Sequence, residues 1–224
     1  MERGIVVSPF TFKNTNNGYS LSADGLSADK LRYYLVYWDK IAVADSNIFS
    51  SPVSGEAALL KDMGIVQEVT GRVSLSGTIG SDAMLQIHLA ALATATQNLT
   101  AQSPDQWTIH QFGESLVIPS QYSEQLATVD IELNNCLPVP SQDISLDKIL
   151  SFKRQRADEL LALRLCLDDL YLEISKSQDI PRAKNTAIQK LEVAIRDLNT
   201  VTKESWLSSV FASRTVSIDQ GLRI

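Results

Sequence analysis

The sequence predicts an α/β domain with a mixed sheet, followed by an antiparallel α-helical hairpin. Three observations carry this expectation. Short apolar runs at residues 4–8 (GIVVS), 41–44 (IAVA) and 65–69 (IVQEV) alternate with helix-patterned stretches over the first 140 residues. Pro138 and Pro140 in LPVPS then disfavour helix and hold the chain extended. Beyond them, two long segments carry apolar residues at alternating three- and four-residue steps, the signature of one buried helix face. The expected organisation is an α/β domain over 1–140, a helical hairpin over 141–212 and a tail over 213–224, either a short strand or disordered.

Taken in order, residues 4–8 form a strand stopped by Pro9, and the Asn-, Gly- and Ser-rich residues 11–26 form a loop. Ser27 caps a helix carrying Tyr33, Tyr34, Tyr37 and Trp38, whose spread over more than one face implies burial between layers. Residues 41–44 make the next strand. Strand, helical connection, strand is the pattern of a parallel βαβ crossover. Residues 55–63 are helical with Gly64 as C-cap, and 65–69 a strand that Thr70-Gly71 turns into a hairpin with 73–75. A helix from Ser81 or Asp82 to about Leu99 is apolar around much of its girth, so it should be buried. Strands follow at 107–111, 115–119 and 128–133, the last alternating cleanly.

In the rear segment, Leu146, Ile149, Leu160, Leu163, Leu167, Leu170 and Ile174 line one stripe of a helix of roughly 30 residues. A second helix starts near Asp179–Pro181 and repeats the stripe with Ile188, Leu191, Ile195 and Leu198. Leu161, Leu165, Tyr171 and Leu172 fall off the main stripe and widen the apolar face beyond what one partner helix covers. Trp206 and Phe211 add an apolar patch after the second helix. Lys153, Arg154 and Arg156 interrupt the stripe with charge, as a polar contact site or as ordinary surface pairs of Arg154 with Asp158 and Arg156 with Glu159.

The 224 residues carry a net charge of −6, unevenly spread. Residues 1–140 hold 7 Lys/Arg against 14 Asp/Glu, so the front repels phosphate backbones. No membrane span and no secretory leader is expected, and Cys136 and Cys166 lack metal or disulfide spacing. These features point to the cytoplasm. No catalytic or nucleotide-binding motif occurs. His88, on an apolar helix, reads as a satisfied interior residue rather than a catalyst, and no cofactor or metal is expected.

Two segments together, LRYYLVYWDKIAV and LPVP followed by ISLDKILSFKRQRADELLALR, resemble a group of uncharacterised bacterial proteins with an α/β front and a helical rear. The resemblance implies a bacterial, cytoplasmic protein of the kind found in accessory or defence gene clusters. It implies no activity and no site residues.

The expected function is a non-enzymatic interaction or assembly module, self-associating through the hairpin or binding an operon-encoded protein. Its interaction residues would be Leu161, Leu165, Tyr171, Leu172, Trp206, Phe211, Lys153, Arg154 and Arg156. The alternative is a metal-dependent phosphodiesterase or nuclease, which requires Asp39, Asp45, Asp130 and Glu132 to converge. Nucleic-acid binding through Lys153, Arg154 and Arg156 is the third reading.

Overall fold

The computed structural model describes residues 2–15, 18–22, 26–74, 83–103, 106–112, 130–134, 140–176, 180–202 and 215–219. The protein is mixed α/β and falls into two compact units, Met1–Ala127 and Thr128–Ile224.

The first unit holds strands β1 (Gly4–Thr15), β2 (Gly18–Ser22), β3 (Lys40–Ser46), β4 (Val66–Gly71) and β5 (Trp107–Phe112). Its helices are α1 (Ala28–Tyr37), α2 (Glu56–Asp62) and α3 (Ala83–Gln102). Four strands run parallel in the order β5-β1-β3-β4, as the crossover pattern predicts. β2 adds an antiparallel partner along Thr11–Thr15 of β1. Residues 11–22 are therefore largely a strand pair and not the expected loop. Pro9 does not end β1, because it lies at a register shift between Val7 and Thr11 on the β5 side. A missing N–H costs little at such an irregularity. The next amide, of Phe10, donates to Ser8 Oγ at 3.1 Å.

The hairpin expected at Thr70-Gly71 does not form. β4 runs on in register, with Thr70 opposite Asp45 and Gly71 opposite Ser46. Gly71 serves packing and not a turn: a Cβ there would collide with the Ala91 backbone of α3. Of the other strand expectations, 107–111 is realised in β5, while 115–119 lies outside the described residues.

Ile5, Val6, Val7 and residues 41–44 are all buried, the mark of a parallel strand covered on both faces. Val6, Ala42 and Ala44 pack with Leu92, Ala95 and Leu99 of α3. Alternation sends Ile5, Val7, Ile41 and Val43 to the opposite face. A right-handed β1–α1–β3 crossover, the rule for parallel strands, would lay α1 on that face, and α1 does contact β3. Ser27 occupies the N-cap of α1 without a side-chain cap bond. Tyr34 and Tyr37 are buried, and burial pushes both phenols well above their ordinary range.

Arg32, also buried, grips Glu56 of α2 with two hydrogen bonds of 2.7 and 2.9 Å and donates to the Ala28 carbonyl. The Arg32 hydrogen bond holds the Glu56 carboxyl below its ordinary value of 4.5. The stability this pair adds is thus present above that pH and lost as the pH falls below it. Glu56→Ala, which takes the carboxylate partner from a buried guanidinium, should cost about 2 kcal/mol, and Arg32→Met less, because Glu56 faces solvent. Urea midpoints of the two variants test the ranking, and the reverse order would refute it.

The second unit contains β6 (Asp130–Asn134), α4 (Leu146–Gln155), α5 (Ala157–Lys176), α6 (Ile180–Thr202) and β7 (Thr215–Asp219). β6 and β7 pair antiparallel, so the alternating run and part of the tail form one ribbon. The long first helix of the sequence reading is broken. Ser145 caps α4 by accepting from the Lys148 amide, and Arg156 leaves the helical region at φ −121°, ψ 34°. An unbroken helix would carry Lys153 and Arg156 on its buried stripe. The break instead buries Ile149 and Phe152 and leaves both cations partly exposed. Among the described side chains, those buried on α5 are Leu160, Leu163 and Leu170, and on α6 Ala187, Leu191, Ile195 and Leu198. α5 and α6 pack against each other, and Lys190 donates to both carboxylate oxygens of Glu173 at 2.5 and 2.8 Å.

Candidate functional site

The residues anticipated as an interaction surface are only partly brought together. Leu161, Leu165 and Leu172 stand on α5 with 50%, 53% and 46% of their surface exposed. Steps of four and seven place all three within about 40° of each other around the helix axis. They form one line on the side left uncovered by the packing of Leu160, Leu163 and Leu170. Val193 of α6 is exposed as well. Tyr171 belongs to α5, but its side chain lies outside the described residues, as do Trp206 and Phe211.

The basic residues do not make a patch. Arg156 pairs with Glu159 at 3.4 Å, as an ordinary helix-surface contact. Arg154 turns back to Ser151 Oγ at 3.2 Å instead of meeting Asp158. Lys153 is half-buried.

Nor do the described carboxylates converge. Asp39 precedes β3 and accepts from the Arg3 amide, whereas Asp45 is the last residue but one of that strand. The strand separates them by about 20 Å. Asp130 and Glu132 lie on β6 in the other unit, with side chains outside the described residues. Among the described residues, no group of three His, Cys, Asp or Glu is placed to hold a metal. No described helix is long and apolar enough to cross a membrane.

A second constellation escaped the sequence reading. Six polar or charged residues are buried among those described, and Ser8, Asp45, Ser46 and His88 are four of them. Ser8 lies within β1, directly after the Gly4–Val7 stretch that pairs with β3, Asp45 and Ser46 are the last two residues of β3, and His88 is in the second turn of α3. Asp45 holds the following loop by accepting from the Ser46 amide at 2.9 Å and the Ser51 amide at 2.7 Å. Ser46 Oγ accepts from the Phe49 amide and donates to the Phe49 carbonyl. Phe10 lies against His88 with ring centroids 3.8 Å apart and the planes tilted by 40°, and Phe49 lies at 6.4 Å.

His88 is not the satisfied interior residue expected: its Nε2 is buried and has no hydrogen-bond partner among the described residues. Burial lowers its pKa from the ordinary 6.5, against the opposing pull of Asp45. Unfolded His88 therefore takes up a proton nearer 6.5, and folded His88 only at lower pH. The fold's stability is complete above about 6.5 and falls as the pH drops through that value. Urea unfolding at about pH 8 and about pH 5.5 should show this loss, and His88→Gln should flatten it. An unchanged slope in the variant would exclude His88 as the source.

Fold and site together define an α/β protein with a helical rear unit, its strand order reversing between β1 and β5. The chain belongs to the family of unknown function DUF6236, which matches residues 2–221. The membership agrees with the resemblance to an uncharacterised family. No curated protein and no solved structure matches the chain.

Proposed function

We propose that this protein is a non-enzymatic assembly module whose rear helices, α5 and α6, form an antiparallel hairpin that pairs with the hairpin of a second copy. The observation that carries the reading is the line of Leu161, Leu165 and Leu172 along the outer side of α5. A second copy is favoured as the occupant because the line is self-complementary. Asp158 is exposed at one end and Lys176 at the other. A two-fold pairing of antiparallel α5 helices sets Leu161 against Leu172 and brings Asp158 beside Lys176 of the other copy. Like ends would meet in a parallel pairing, and so oppose it.

Burying the exposed half of one leucine contributes about 1 kcal/mol, and the symmetry doubles every such contribution. Cys166, a free and partly buried thiol, suits a reducing compartment such as the cytoplasm. Sedimentation velocity across a concentration series tests the proposal. A concentration-dependent dimer supports it, and a strict monomer at high micromolar concentration sinks it.

A further inference from the structure

The edge of the first unit where β3 ends and β1 runs on past its pairing with β3 has the makings of a second site. In an open parallel sheet, ligands sit outside the carboxyl ends of the strands, where the strand order reverses. Here the order reverses between β1 and β5. Four of the six described buried polar residues gather at this edge, and all but one of their roles are accounted for. Asp45, Ser46 and Ser8 are used in shaping the local backbone. His88 is 3% exposed and its Nε2 has no hydrogen-bond partner among the described residues. A buried nitrogen without a partner is costly, and a bound hydrogen-bonding group would recover that cost.

The surroundings of this nitrogen are aromatic and apolar. Phe10 covers the imidazole from within the unit. Phe49 is 43% exposed, and Met84 is exposed on α3 one turn before His88. Because Ser46 Oγ pins both the amide and the carbonyl of Phe49, the phenyl ring can swing while its backbone stays in place. Asp45 is the charged group acting on the imidazole, and the front half of the chain is acidic. An anionic ligand is disfavoured on both counts.

We propose that this edge binds a small uncharged aromatic or heteroaromatic molecule, which displaces the Phe49 ring, stacks in its place and hydrogen-bonds to His88 Nε2. The site is independent of the leucine line on α5.

The experiment uses the full-length protein with 15N-labelled histidine and three probes, adenine, uracil and indole, each at millimolar concentration. Saturation-transfer NMR should detect at least one of them bound, with a shift of the His88 Nε2 resonance. His88→Phe, which keeps the stacking and removes the hydrogen bond, should weaken binding about tenfold. Phe49→Ala, which leaves no ring to displace, should strengthen binding by a similar factor. If His88→Phe does not fold, Phe49→Ala decides, since it alters only an exposed ring. Absence of binding by all three probes, or binding indifferent to both variants, overturns the proposal.

Discussion

Gly71→Val should abolish folding of the α/β unit, and Gly71→Ala should lower its stability by about 3 kcal/mol. The reason is contact between two backbones. β4 and α3 approach so closely that a Cβ on Gly71 overlaps the carbonyl and Cα of Ala91. A flexible side chain could turn away, but a helix backbone cannot. Relief would require α3 to lift from β3 and β4, opening the cluster of Val6, Ala42, Leu92 and Ala95. Gly64→Ala makes the control. Gly64 has φ of 71° with open space around its Cβ position, so only the left-handed backbone resists, at about 1–2 kcal/mol. Urea midpoints compare the two. Equal costs would show that α3 yields easily and that the close approach is not a constraint.

Leu165→Glu should convert a dimer of this protein into a monomer. In a two-fold interface the substitution places two carboxylates against apolar surface at once, costing about 3 kcal/mol or more, over a hundredfold in Kd. Leu165→Ala should cost about 2 kcal/mol, near thirtyfold. Neither change should move the unfolding midpoint of the isolated monomer by more than about 0.5 kcal/mol, because Leu165 is half exposed. Sedimentation of the variants beside the parent protein provides the measurement. Identical profiles for Leu165→Glu and the parent would remove α5 from the interface.

Much of the front unit was legible because parallel strands covered on both faces leave unbroken apolar runs, as at Ile41–Ala44. Helix α3 was equally plain from its girth of Leu, Ile and Ala. Extension of β1 beyond Pro9 was not, since TFKNT carries no apolar alternation and its pairing with β2 depends on a distant register. Thr70-Gly71 has turn chemistry, yet the approach of Ala91 gives the glycine another use. Charges at Lys153 and Arg156 did signal trouble on the stripe, although not that the helix would break there. Leu161, Leu165 and Leu172 were recognisable as surplus to one helix pair. His88 was misjudged because its missing partner is a property of the packed strand ends, which no local spacing encodes.

β5 lies beside β1 although about a hundred residues separate them, with Thr108 Oγ1 reaching the Gly4 carbonyl. On a translating ribosome, the first strand must therefore wait with one side open until residues 107–112 have cleared the exit tunnel. During that interval a chain end rich in Ile and Val is available to neighbouring nascent chains. Truncations ending before Trp107 would prolong this exposure indefinitely and favour inclusion bodies.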